Sequence, residues 1–231
     1  MRTPLNSILM VAESMQKNAA LPPGVQKDAQ VILRCAELEA RLIDDLVDLS
    51  RLGNAKLLLD RKPLDLHEPL REAIHLCEPG ARERQLEFVL DVRASDSLIM
   101  GDPVRLQQIF WNLIRNAIKF TPEGGRITVR SFNPDKFKVI IEVMDTGIGI
   151  DPTRISSIFQ AFEQGGPDIT ARFGGLGLGL AISQALAEAH GATIQAASAG
   201  INRGATLTMS FPMVHNAAQP LPAAGAASVS S

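Results

Sequence analysis

A helical hairpin that pairs with a second copy, followed by an α+β two-layer sandwich, is the architecture the sequence predicts. Three observations carry it. Apolar residues recur every three or four positions as far as Leu52, the period of one helix face. From Leu57 onward short β-like runs alternate with helical stretches, which implies a sheet covered by helices. The last residues, His215 to Ser231, are rich in Ala, Pro, Ser and Gly and hold no Asp, Glu, Lys or Arg; they read as a flexible tail or linker.

The first helix is expected over residues 1 to about 19, where Leu5, Ile8, Leu9, Ala12 and Met15 form one stripe. Leu21-Pro22-Pro23-Gly24 then supplies turn chemistry. The second helix spans about 25–52, with Ile32, Cys35, Leu38, Leu42, Leu46 and Leu49 on one side and Gly53-Asn54 as its stop. Two stripes leave much apolar surface uncovered. A homodimer through residues 1–52, closing a four-helix bundle, would bury it; packing against the rest of the same chain is the other reading. The predicted divisions are a hairpin at 1–53, a linker at 54–62, an α+β domain at 63–213 and a tail at 214–231.

Within the α+β part, β-like runs fall at 57–60, 86–92, 126–132, 137–144, 192–197 and 205–211, and helical stretches at 67–83, 102–121 and 180–189. They predict one mixed sheet with helices on one face.

Bulk properties exclude several classes. A net charge of −2 argues against nucleic acid as the main partner. No apolar run approaches the ~20 residues of a membrane span, and Arg2 and Pro4 stand where a signal peptide would begin. A cytoplasmic setting is expected, as a free protein or as the inner part of a membrane-bound sensor. Cys35 and Cys77 suggest neither a disulfide framework nor a metal cluster. Histidines 67, 75, 190 and 215 are scattered and read as surface or capping residues.

Four motifs carry chemistry. In the helix at 102–121, Asp102 suits the N-cap and Pro103 the first helical position. Leu106, Ile109, Phe110, Leu113, Ile114 and Ala117 make its apolar face, and Arg105, Gln108, Asn112, Asn116 and Lys119 a polar one. Asparagine is a poor helix-interior residue, so two of them one turn apart, followed by Lys119, invite explanation. An amide oxygen is a hard ligand suited to Mg²⁺, and an ammonium suits phosphate; a solvated polar face is the plainer reading. Asp145-Thr-Gly147-Ile-Gly149 ends a β-like run. Its carboxylate can accept from an exocyclic amine, and its glycines allow close backbone approach; an ordinary strand-end turn is the alternative. Phe159 and Phe162, three apart in a polar stretch, are expected to anchor a mobile segment by packing under it, or to form a small satellite core. Finally, four glycines lie in six residues at Gly174, Gly175, Gly177 and Gly179 before an apolar helix. This is neither a P-loop, because Gly179 is followed by Leu180-Ala181, nor a Rossmann fingerprint, because no Asp or Glu follows Glu188.

In this order and spacing the four motifs resemble the catalytic core of bacterial sensor histidine kinases, over roughly residues 1–213. Their nucleotide domain shares the ATP-binding fold of gyrase and the Hsp90 chaperones. Asn112 to Thr121 is similar to the N box, Asp145 to Ile150 to the first glycine box, Phe159 to Glu163 to the F box and Gly174 to Leu180 to the second glycine box. The resemblance implies ATP and Mg²⁺ as cofactors. It implies Asn116 on the metal, Asn112 and Lys119 on the phosphate side, Asp145 on the adenine amino group, and Gly147 and Gly149 along the base. It also implies an ATP lid over 151 to about 175, hinged at Gly175, Gly177 and Gly179, with Arg172 a γ-phosphate contact. Leu176 stands where the family often has Thr or Ser.

The hairpin resembles the family's dimerisation and phosphoacceptor domain, whose motif is His-Glu-x-Arg-Thr-Pro-Leu. Met1-Arg2-Thr3-Pro4-Leu5 enters that motif at its third position. The acceptor His and its acidic neighbour are therefore expected just before Met1, and the chain as written is expected to bind ATP without labelling itself. Thr3 matches the position that orients water when a partner regulator is dephosphorylated. The implied activity is phosphoryl transfer from ATP to His and on to an Asp of a response-regulator receiver domain, with a receiver conceivably fused downstream. The alternatives are a non-kinase, dimeric ATP-binding scaffold and an ATPase of the gyrase or chaperone branch.

Overall fold

The structure, a computed structural model, describes residues 2–18, 20–22, 24–33, 35–36, 39, 59–163 and 176–214, with side chains from Ser7 onward. Helix α1 (Arg2–Lys17) leads into a turn organised by Asn18, whose Oδ1 accepts from Ala20 N at 3.0 Å. Gln26 Nε2 donates to the carbonyls of Asn18 and Leu21, 3.1 Å each. Helix α2 follows over 24–33, and residues 35, 36 and 39 are helical too. The predicted continuation to Leu52 lies outside the described residues.

The hairpin buries small residues. Ala12, Ala29 and Ala36 are buried, whereas Ile8, Met10, Val11, Val31 and Ile32 are exposed. Within a single chain the stripe expected for α2 is uncovered at Ile32 and Cys35, and its members Leu38, Leu42, Leu46 and Leu49 lie outside the described residues. Ala29 and Ala36 face inward, while Ile32 and Cys35 face out. A two-helix seam has room for methyl groups when backbones approach closely, and larger side chains are left on its flanks. An apolar groove lined by Ile8, Val11, Ala12, Met15 and Ile32 runs along them.

The second region is built on two sheets. Strands β1 (Lys62–Asp65) and β3 (Leu98–Gly101) pair antiparallel. The main sheet has the order β2-β4-β5-β7-β6, from β2 (Glu87–Val92), β4 (Arg126–Asp135), β5 (Lys138–Asp145), β6 (Thr193–Ala197) and β7 (Ala205–Pro212). Its β2–β4 pair is parallel and the rest are antiparallel, so the sheet is mixed as expected. Helices α3 (His67–Glu83), α4 (Pro103–Phe120) and α5 (Gly179–Ala189) supply the second layer. Leu106, Ile109, Phe110, Leu113 and Ile114 of α4 are wholly buried with Ile127, Val129, Ile141, Met209 and Phe211 of the sheet. The Phe110 and Phe211 rings meet edge to face, 6.1 Å between centroids.

Two expectations are corrected. Of the early β-run at 57–60, residues 57 and 58 lie outside the described residues and 59–60 are irregular; a strand stands at Lys62–Asp65, and its partner β3 was not anticipated. Each of these strands has four residues, too few for a period-two pattern to stand out, and Pro63 weakens the β signal of the first. They also form a separate sheet, so the described residues hold two sheets rather than one.

Candidate nucleotide site

Helix α4 is fixed at both ends. At its start the Asp102 carboxylate accepts from Val104 N and Arg105 N, and Pro103 occupies the first turn, as the sequence predicts. The other Asp102 oxygen accepts from Asp60 N at 3.1 Å, and Asp102 N donates to His190 Nε2 at 3.0 Å. That bond fixes the tautomer: Nε2 accepts, so the Nδ1 proton goes to Leu186 O, 2.7 Å away. Burial first of all holds the His190 pKa below its usual value, and Arg61 adds to this. His190 caps the C-terminus of α5, which bears out the capping role expected for it. At the far end of α4, Arg84 Nη1 donates to Ile118 O and Lys119 O at 2.9 and 3.0 Å; sequence reading passed over Arg84. A guanidinium here suits the negative end of the helix dipole.

The polar face of α4 divides into distinct environments. Asn112 is buried, and its Nδ2 donates to Gly179 O at 3.3 Å and to Ser183 Oγ at 3.4 Å. Asn116, one turn on, is half-buried and has no side-chain hydrogen bond to a described residue. Lys119 is half-buried beside the Phe120 ring, with Nζ 4.8 Å from its centroid. Burial, and secondarily Arg115, lowers the Lys119 pKa.

The Asp145 loop is clamped between the end of α4 and the β6–β7 turn. Asp145 Oδ1 accepts from Gly147 N at 2.8 Å. Ile148 N donates to Phe120 O at 3.1 Å, Gly204 N to Gly147 O at 3.1 Å and Asn202 N to Ile148 O at 2.6 Å. The glycines answer to this packing. A Cβ on Gly147 would sit 2.4 Å from Phe120 O, and one on Gly149 2.1 Å from Gly200 O. Gly149 also has a φ of +67°, a region that only glycine enters freely. Close approach was expected on account of a flat base; what the structure places against these glycines is backbone of its own chain. Burial raises the Asp145 pKa, against the lowering effect of N–H groups from Gly147 and Ala205.

After this loop, Asp151 caps a short 3₁₀ turn, Pro152–Arg154. Ile158 and Phe159 pack against the core. Phe162 does not: it is 63% exposed, a correction to its expected role as an anchor under the segment. Its backbone is the cause. With φ at +68° the residue turns its N–H to Gly177 O at 3.1 Å, and the ring points outward. Gly177 in turn has a φ of +70° and no room for a Cβ against Glu163. Arg154 and Glu163 form an ion pair beside this junction. Arg172 and Gly175 lie outside the described residues, as does the Thr3 side chain, although Thr3 belongs to α1.

Asn116, Lys119, Asp145, Gly147 and Gly149 therefore share one end of the domain, where α4 stops and β5 runs out; Asn112 sits one turn back, joined to the start of α5. A second constellation, Asp65, His67 and Ser131, has the order of a hydrolytic triad, with His67 Nε2 2.9 Å from Ser131 Oγ. Ser131 is wholly buried and also accepts from Ala94 N, so no substrate reaches it and the group is a structural brace. Among the described residues no cluster of His, Cys, Asp or Glu could hold a metal.

This two-layer domain with amide, carboxylate and glycines at one end, preceded by a helical hairpin, defines a class, and comparison with known proteins identifies it. Residues 1–55 match the His Kinase A (phospho-acceptor) domain, and residues 101–215 the histidine kinase-, DNA gyrase B- and HSP90-like ATPase family. The sensor histidine kinase GacS of Pseudomonas protegens is 34% identical over 226 residues, covering 96% of this chain and 24% of that protein. BarA of Escherichia coli K12, a signal transduction histidine-protein kinase, is 37% identical over 211 residues, 89% of this chain and 23% of that protein. Among solved structures, full-length ShkA in complex with AMPPNP superposes with a TM-score of 0.74 at 31% identity, covering 94% of this chain and 44% of that one. The chain belongs to the sensor histidine kinase family and comprises its two-part core. It spans about a quarter of the length of the curated relatives it matches. The ATPase match begins at Gly101, and Leu64, Leu66 and Leu70 ahead of it share the same core. Among the described residues no helix is long and apolar enough to cross a membrane.

Proposed function

We propose that this chain is the ATP-binding kinase core of a cytoplasmic signalling protein, passing the γ-phosphoryl of ATP to a histidine and from there to an aspartate of a response-regulator receiver domain. One observation carries the nucleotide reading: the Ile148 N to Phe120 O bond joins the end of α4 to the Asp145 loop. It brings the Asn116 amide, without a partner among the described residues, and a half-buried carboxylate to the same end of the fold.

Asp145 accepts a hydrogen bond from the adenine amino group while its loop stays fixed by Gly147 and Gly204. Asn116 offers an amide oxygen with no partner among the described residues, which fits Mg²⁺. Among the described residues no carboxylate cluster could hold the metal, so Asn116 would hold it together with the nucleotide. When bound, Mg²⁺ neutralises charge on the phosphates. Lys119 contributes positive charge at the same end, and Arg172 is assigned to the γ-phosphate. Gly175, Gly177 and Gly179 form the hinge of the lid.

In the family motif the acceptor His lies two positions ahead of the residue matched by Met1, and Thr3 sits where water is oriented for dephosphorylation. Residues 1–52 form the homodimer, the exposed Ile8, Val11 and Ile32 providing the apolar surface that a second hairpin would cover. The divisions are 1–53, 54–62, 63–213 and 214–231. The hairpin match and the sensor-kinase relatives favour this reading over a gyrase- or chaperone-type ATPase.

Calorimetry with MgATP tests the site: Asn116→Ala and Asp145→Ala should each abolish measurable binding, and wild-type affinity in both would refute it. A chain carrying His-Glu ahead of Met1 should acquire acid-labile, base-stable label from γ-labelled ATP. Acid-stable label alone would mean that histidine is not the acceptor.

A further inference from the structure

Ser183 is wholly buried inside α5, among Ile182, Leu186 and Ala187. A hydroxyl there is unfavourable unless bonded, and a serine bonding back one turn slightly weakens its own helix; alanine would serve packing alone better. Ser183 Oγ donates to Gly179 O at 2.8 Å. Its lone pair accepts from Asn112 Nδ2 at 3.4 Å, and the same amide nitrogen donates to Gly179 O at 3.3 Å. The triangle is chemically closed. A carbonyl can only accept, so the amide must turn its nitrogen toward α5, and Asn112 Oδ1 is the atom left over, with no partner among the described residues. Gly179 is the first residue of α5, and the N-cap residue Leu178 makes no side-chain cap bond.

We infer that Ser183 is a positioning residue of the nucleotide site: with Asn112 it ties the first turn of α5 to α4. It thereby holds the uncapped N–H groups of α5 and the Asn112 amide oxygen in register with Asn116 on the phosphate side. Asn112 then acts first as a strut between two helices, and its phosphate-side role depends on Ser183. This rests on the nucleotide reading above and adds the division of labour within it. The strut lies between α4 and α5, whereas the base contact is on the Asp145 loop, so losing the strut weakens phosphate recognition and leaves base recognition untouched.

The test compares MgATP and adenosine binding to the full chain, wild type and Ser183→Ala, by calorimetry and NMR titration. Loss of one buried hydrogen bond is expected to weaken MgATP roughly five- to tenfold, with adenosine affinity unchanged. In a double-mutant cycle with Asn112→Ala the second substitution should add little. Equal weakening of MgATP and adenosine, or wild-type MgATP affinity in Ser183→Ala, would overturn the inference. Should the alanine variant be unstable, Ser183→Thr keeps a hydroxyl and is expected to retain the wild-type ratio of MgATP to adenosine affinity; a fallen ratio overturns it equally. A wild-type chain that binds neither ligand removes the nucleotide reading itself, an outcome distinct from either result in the variants.

Discussion

The helical hairpin and the α+β domain solve burial in opposite ways. The domain encloses its large apolar side chains, with Phe110, Phe211, Leu106, Ile109 and Leu113 all inaccessible to water. The hairpin encloses alanines and leaves Ile8, Met10, Val11, Val31 and Ile32 exposed. Apolar surface contributes about 25 cal/mol per Å² when removed from water, so the domain gains more from burial within one chain than the described part of the hairpin does. The contrast suits the role proposed for each. A nucleotide site needs side chains held on a rigid frame, whereas a helical pair that completes itself on a second copy ties two chains together through the same surface that stabilises it.

The largest expected effect falls on the domain alone. Gly149→Ala would place a Cβ 2.1 Å from Gly200 O at a φ of +67°. Overpacking and strain of this kind cost on the order of 3 kcal/mol or more. Thermal unfolding followed by circular dichroism should show the domain transition lowered by several degrees and helicity of the hairpin retained. A single unchanged transition would mean that the Asp145 loop is not clamped as described.

Next comes a loss confined to ligand binding. Asp145→Asn keeps the shape of the side chain and its acceptor oxygen toward Gly147, but it removes the carboxylate. ATP affinity should fall about 100-fold, equivalent to ~2.7 kcal/mol, with melting temperature and oligomeric state as in wild type. Dimer dissociation in this variant would blur the separation between the two regions.

Val11→Asp sharpens the comparison from the other side. A charge in the groove of the hairpin should raise the dimer dissociation constant tenfold or more, since burying an unpaired carboxylate is costly. ATP affinity should not move. Sedimentation at several concentrations reads the first and calorimetry the second. An unchanged dimer would place the interface elsewhere.

The two regions also differed in how legible they were. In the domain, the period of α4 announced its buried face, and every residue of the predicted stripe from Leu106 to Ala117 is buried. Asp102 and Pro103 announced its start, and Asn116 and Asp145 stood out because their chemistry is costly unless used. The spatial reasons for Gly147 and Gly149 were not legible, since they depend on Phe120 and Gly200, far away in sequence. Ser183 and Arg84 were missed for the same cause: each bonds to a residue on another helix, and periodicity reports only one helix at a time. In the hairpin, period 3.6 located helices but did not single out the alanines of their seam. Ala29 and Ala36 lie beside Ile32 and Cys35 on a helix apolar around much of its circumference. The outward turn of Phe162 was likewise invisible, because a left-handed backbone at a phenylalanine has no sequence signal.

The smallest effect is a pH dependence that the domain should show and the hairpin should not. His67 and His190 both have pKa values below the usual histidine range, in each case first through burial; Arg71 reinforces this at His67, and Arg61 at His190. Residues 1–53 contain no histidine. A histidine whose folded pKa is depressed contributes stability in full above its unfolded value of about 6.5, and that stability is lost as pH falls toward the folded pKa. Each proton taken up only on unfolding sets a slope of no more than about 1.4 kcal/mol per pH unit. On acidification from about pH 7.5 to 5.5, the domain should therefore melt progressively lower while the dimer constant holds. His190→Gln should flatten the slope in part, leaving the share due to His67. Asp145 adds an acid-side loss of its own, in binding rather than stability. Burial raises its pKa, so ATP affinity should decline at a higher pH than an ordinary aspartate would allow, as the acceptor for adenine becomes protonated. If the melting temperature were flat over this interval, the His190 ring would have to take up its proton as readily in the folded state as in the unfolded one. Its Nε2 could then not accept from Asp102 N, and the junction between α4 and α5 would be built on a different bond.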